Sequence, residues 1–161
     1  MISGKRTTLY DFMAKGNSVR YEAINSDNAV IDTLTAQTLR EESLRLASGL
    51  SRVAQPGDRV IIPPLAGLDF ERSFFATVAA GMVAVPLPKL PTVASHKLRR
   101  IESVLADCDA KAIISADDES RLIVERTGIS NIDPALARLD DGNPLMEPIG
   151  RDSSSAEIMA L

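Results

Sequence analysis

Tryptophan is absent from this chain, cysteine and histidine occur once each, and the aromatic rings number only two Tyr and four Phe. A core must therefore be built from Leu, Ile, Val and Ala. One cysteine, Cys108, excludes a disulfide within the chain and any metal site of clustered thiolates, which points to a reducing cytoplasm. Cys108 lies in an alternating stretch and reads as a packed thiol rather than a nucleophile. A basic surplus is missing too: the net charge is −4 and the basic residues are dispersed, so a nucleic-acid surface is not expected. The densest basic group, Lys97, Arg99 and Arg100, reads as a solvated helix face. The first dozen residues hold no apolar stretch of signal-peptide length, and no apolar run is long enough for a membrane span.

Motifs that carry chemistry are also missing. There is no G-x-G-x-x-G and no G-x-x-x-x-G-K-[ST], the glycine-rich patterns that let backbone N–H groups wrap phosphate. No H-E-x-x-H pair supports the lone His96, which sits beside Lys97 in the first turn of an expected helix, and no G-x-S-x-G elbow presents a serine. Acidic residues cluster at Glu41-Glu42, Asp117-Asp118-Glu119 and Asp140-Asp141, each at a helix surface, a helix start or a loop. Asp58 follows Pro-Gly and reads as a turn residue; Ser153, Ser154 and Ser155 read as linker. The sequence assigns no catalytic, cofactor-binding or metal-ligating residue.

What is present, across 161 residues, is the length and pattern of one α/β unit. Residues 7–16 read as a short helix. Val19–Ile24 alternates like a half-wet strand, and a turn at 25–28 with a strand around Ala29–Asp32 completes a hairpin. Thr35 opens a helix with Leu39, Leu46, Leu50 and Val53 on one face and Arg40, Glu41, Glu42, Arg45 and Arg52 elsewhere. Gln55–Asp58 ends it. Arg59–Ile62, Val83–Leu87 and Lys111–Ser115 are short, β-branched runs of the kind buried on both faces. Between them stand two helices: one capped by Asp69 with a Phe70/Phe74/Val78 inner stripe, the other capped by Ser95 and lined by Leu98, Ile101, Leu105 and Cys108. This alternation implies parallel strands and right-handed crossovers. A helix from Asp117 or Asp118 to about Thr127, a strand at Ile129–Ile132 and a helical turn at Pro134–Leu139 follow.

The ordered series Pro56-Gly57-Asp58-Arg59-Val60, Gly67-Leu68-Asp69-Phe70 and Val83-Ala84-Val85-Pro86-Leu87-Pro88 resembles the N-terminal subdomain of acyl-adenylate-forming enzymes, most closely the fatty acyl-AMP ligases. LTAQTLREESLRLASGL and IESVLADCDAKAIIS are similar to that family's flanking helix and helix–strand segments, so the resemblance spans about residues 7–125. It departs from the family pattern in three places. Pro63-Pro64 stand two residues early, with Leu65-Ala66 before Gly67; Ala36 replaces a usual tyrosine; and PKLPTVASHKL replaces a link usually rich in proline and arginine.

The resemblance implies a parallel-sheet, strand–helix–strand fold with a small N-terminal hairpin, over residues 1–150. It implies that 151–161 are a linker and the start of the next strand, ending before the family's phosphate loop. No residue of this chain maps onto a family catalytic residue. For a whole enzyme it implies ATP and magnesium, a fatty acid and an acyl carrier protein, lipid and polyketide synthesis as settings, and activation of the acid as acyl-AMP. The chain alone is expected to be inactive and to self-associate through the face that the rest would cover. Two other readings stay open: a stand-alone non-catalytic module with the same fold, and an unrelated flavodoxin-like domain binding a nucleotide or flavin at a strand switch point.

Overall fold

A computed structural model describes residues 19–87, 94–115, 124–125 and 127–139. The expected helix at 7–16, the loop at 140–144 and the segment 151–161 lie outside the described residues, as does most of the helix expected before Thr127.

Strands β1 (Arg20–Ile24) and β2 (Val30–Thr35) form an antiparallel hairpin. Its turn is closed by Asn25, whose Oδ1 accepts from the amides of Asp27 and Ala29 at 3.0 and 2.9 Å. This Asx geometry gives the chain a local substitute for ladder hydrogen bonds. β2 runs three residues beyond the expected strand and passes directly into helix α1 (Ala36–Leu50). Thr35 caps that helix: its Oγ1 accepts from the Thr38 amide at 3.0 Å, satisfying one of the four orphan N–H groups of the first turn. Leu39, Leu46 and Leu50 are fully buried as expected. Val53 is not, being 38% exposed, because the helix has already ended at Leu50 and the periodicity no longer applies there.

The central sheet contains β3 (Arg59–Ile62), β4 (Val83–Pro86), β5 (Ala112–Ile114) and β6 (Ser130–Ile132) in the order β4-β3-β5-β6, all neighbours parallel. Val60 lies beside Ala84 on one side and Ala112 on the other. Helix α2 (Asp69–Ala79) joins β3 to β4, and helix α3 (Ala94–Cys108) joins β4 to β5. The alternation along the strands assigns the two faces. Val60, Ile62, Ala84, Ala112 and Ile114 pack with Leu44, Leu46, Ala47 and Leu50 of α1 and with Ala76, Ala79 and Ala80 from α2 and its end. Ile61, Val85 and Ile113 point the other way, onto Leu105 and Cys108 of α3. The period of two along a pleated strand makes this division automatic. It explains why these strands read as unbroken apolar runs: both faces are covered.

A third cluster, Leu34, Leu39 and Leu68 with Tyr21, Ala23 and Phe75, seats the hairpin on α1 and α2. Each fully buried Leu or Ile in these clusters contributes about 2 kcal/mol by removal of its apolar surface from water. After β6 the 3-10 turn Pro134–Arg138 is capped by Asp133, whose Oδ1 accepts from the Ala135 amide at 2.8 Å, and Ala137 seals the core.

Three helix details differ from expectation. In α2 the innermost positions are Arg72, Ser73, Ala76, Thr77 and Ala79, while Phe70 and Phe74 are partly buried at the margin of the core. Small residues face inward because α1, which buries Ser43 and Ala47, packs against α2. The bulky rings therefore stack beside the contact, Phe70 and Phe74 at 6.2 Å between centroids. Asp69 does not cap: Leu68 holds that position without a side-chain hydrogen bond. Nor does Ser95 begin α3, since Ala94 already belongs to it. Among the described residues no helix is long and apolar enough to cross a membrane.

Candidate functional site

In an open parallel sheet, ligands bind beyond the carboxyl ends of the strands, where the strand order reverses. Here the chain leaves β3 for the outer strand β4 and returns to β5 on the opposite side of β3, so that point lies between β3 and β5. The segment leaving β3 is Pro63-Pro64-Leu65-Ala66-Gly67-Leu68; the segment leaving β5 begins at the buried Ser115, whose amide donates to Ile132 O at 3.0 Å.

A phosphate cradle needs consecutive free N–H groups, and Pro63 and Pro64 have none. The Leu68 amide donates to Asp32 Oδ2 at 3.1 Å and the Asp69 amide to Ala66 O at 3.2 Å, so both are already engaged. Among the described residues no group of three His, Cys, Asp or Glu could hold a metal ion.

A charged cluster joined to this loop through Asp32 was not anticipated from the sequence. Arg72 is a buried arginine, its side chain 3% exposed, inside a ring of carboxylates from three elements. Its Nη1 donates to Asp32 Oδ2 of β2 at 2.7 Å and to Asp69 Oδ1 of α2 at 3.1 Å, and its Nε donates to Glu42 Oε2 of α1. Nη2 reaches Asp32 Oδ1 at 3.4 Å, making the Asp32 contact two-pronged. Arg138 of the 3-10 turn pairs with Asp69 from outside. Burial opposes the charge on Arg72, yet the hydrogen bonds to Asp32 and Glu42 outweigh it and raise the guanidinium further above its already high value. The Arg72 hydrogen bond holds the Asp32 carboxyl down at about 2, against an opposing effect of burial and with help from the Leu68 amide.

Glu42 is thus no solvated surface acid, as the sequence pattern predicts, but a half-buried partner. The usable signal was Arg72 itself. It stands four and seven residues before Ala76 and Ala79, on the inward stripe, where an unpaired charge would be too costly.

The other singled-out groups fall as follows. Asp58 is a turn residue, its Oδ2 accepting from the Gln55 amide at 2.7 Å. Cys108 is buried and free, and burial pushes its thiol up, away from the reactive thiolate. Glu41 accepts from Gln37 Nε2 on the helix surface, and Arg99 is exposed. The side chains of His96 and Lys97, the acidic groups at 117–119 and 140–141, and Ser153–Ser155 lie outside the described residues.

These residues thus define a parallel, doubly wound sheet with a hairpin docked on one helical layer. The model of the AMP-binding enzyme family matches residues 14–151, and the chain belongs to that family. FadD28 of Mycobacterium tuberculosis, a long-chain-fatty-acid–AMP ligase, is 32% identical over 117 residues, which cover 70% of this chain and 20% of that protein. FadD25 of the same organism is 36% identical over 98 residues, 61% of this chain and 16% of that one. Among solved structures, a fatty acyl-adenylate ligase from a study of the E. coli and L. pneumophila enzymes superposes with a TM-score of 0.74 at 24% identity, covering 89% of this chain and 28% of that one. McyG, solved with phenylalanyl-adenylate, gives 0.72 at 21% identity over 91% of this chain and 24% of its own. The chain thus spans less than a third of each of these relatives, and what it matches is the N-terminal part of a fatty-acid ligase.

Proposed function

We propose that this chain is the scaffold portion of a fatty acyl-AMP ligase and contributes no catalytic residue of its own. The observation that carries this reading is the 117-residue match to a long-chain-fatty-acid–AMP ligase, laid over a parallel-sheet fold. The complete enzyme would join a fatty carboxylate to the α-phosphate of ATP with release of pyrophosphate, and the acyl-AMP would pass to an acyl carrier protein in the cytoplasm. ATP and magnesium would be held by residues outside those described here. What these residues supply is rigidity: a sheet covered on both faces fixes where its carboxyl-end loops emerge, so reacting groups carried elsewhere can meet in one geometry.

ATP–pyrophosphate exchange with a long-chain fatty acid tests this. The 161-residue chain is expected to show no exchange, and the chain joined to the remainder of a ligase sequence to show fatty-acid-dependent exchange. Exchange by the chain alone, or a joined protein indifferent to fatty acids, would overturn the proposal.

A further inference from the structure

The loop between β3 and α2 forms one wall of the sheet's carboxyl edge, yet Pro64 and Ala66 are exposed and part of it lacks N–H groups for internal bonding. Something outside the loop has to fix its shape. That group comes from the hairpin, 36 residues earlier in the chain: Asp32 Oδ2 accepts from the Leu68 amide at 3.1 Å. The same carboxylate is oriented by the fork of Arg72, with contacts at 2.7 and 3.4 Å. It also crowds the neighbouring residue. Gly67 has φ +59, and a Cβ there would stand 3.1 Å from Asp32 Oδ2. Three independent features, an accepted amide, an oriented carboxylate and a closely apposed glycine, converge on one side chain.

We propose that Asp32 is a positioning residue: held by Arg72, it fixes the Gly67–Leu68 backbone and so makes the hairpin set the shape of the rim beyond β3. The hairpin is then more than a lid on the apolar cluster around Leu34. It is the part that transmits its own docking to the loop at the sheet's carboxyl edge. That this rim borders a substrate rests on the function proposed above; the positioning itself does not.

Residue-resolved amide hydrogen exchange on the 161-residue chain tests it without any ligase activity, so a failed exchange assay with ATP leaves it standing. Asp32→Ala is expected to speed exchange of the Leu68 amide about tenfold relative to the amides of Ile61 and Ile113, since one protecting hydrogen bond is lost locally. Asp32→Asn keeps an oxygen able to accept from that amide and is expected to hold Leu68 within about threefold of wild type. Equal acceleration at Leu68, Ile61 and Ile113 would show a merely structural role and overturn the proposal, as would unchanged exchange at Leu68. Should Asp32→Ala not fold, Asp32→Glu keeps a carboxylate for Arg72 but moves it by one methylene from the Leu68 amide. It is expected to speed Leu68 exchange about tenfold, and no change there would equally overturn the proposal.

Discussion

Replacing Arg72 with methionine keeps most of the apolar stem of the side chain and removes the guanidinium with its charge and donors. Three carboxylates lose their shared partner; Asp69 retains Arg138 and Asp32 keeps the Leu68 and Thr33 amides, but Asp32 and Glu42 lose the guanidinium that balances their charge. Their side chains are 22% and 13% exposed, so water can only partly replace the guanidinium. Breaking a buried pair from one side costs about 3–5 kcal/mol, and the partial exposure of Asp32 places the expected loss near 3 kcal/mol. For a domain of this size that lowers the midpoint of thermal unfolding by about 6–12 °C. Arg72→Lys keeps the charge but not the fork and should recover about half of the loss.

The same pair sets an acid limb. Because the folded-state Asp32 carboxyl is depressed to about 2, below its unfolded value, its stabilisation is complete above about pH 4 and is lost as pH falls towards 2. Without Arg72 that depression disappears, so the gap between wild type and Arg72→Met should narrow by about 1 kcal/mol between pH 7 and pH 3. Urea unfolding followed by circular dichroism at both pH values measures it. A loss below about 1 kcal/mol at pH 7 would place the pair among surface bridges, and a gap that stays constant with pH would refute the electrostatic account.

Other outcomes follow from single contacts. Thr35→Ala removes the acceptor for the Thr38 amide and should cost about 1 kcal/mol in urea unfolding; no loss would mean that the hairpin, and not the cap, fixes the start of α1. The Cys108 thiol, buried and held protonated by burial, should react with a thiol reagent at pH 8 at least about 100-fold more slowly in the native chain than in the unfolded one, and comparable rates would contradict the packing of α3 on the sheet.

The strands were legible because burial on both faces leaves a plain mark: Arg59–Ile62, Val83–Pro86 and Ala112–Ile114 are runs with no polar alternation. The turn chemistry of Gln55–Asp58 and the cap at Thr35 depend on residues adjacent in sequence, and so they too could be read. What could not be read was long-range. The spacing of Phe70, Phe74 and Val78 marks a helical stripe, but only the approach of α1 decides that small residues turn inward and the rings turn aside. Asp32, Glu42 and Arg72 carry no local sign of one another, since they meet across 30 and 40 residues. Of the ligand site, the sequence offers no glycine-rich phosphate loop, and most of the segments that follow β4 and β5 lie outside the described residues.

Starting the sheet at its middle has a cost during synthesis. β3 emerges first, gains β4 on one flank within a short span, and must wait some fifty residues for β5 on the other. Until then a ribosome-bound chain displays one open row of peptide groups and the naked side of Ile61 and Val85. Pausing in that interval would invite chaperones or neighbouring nascent chains to the vacant flank.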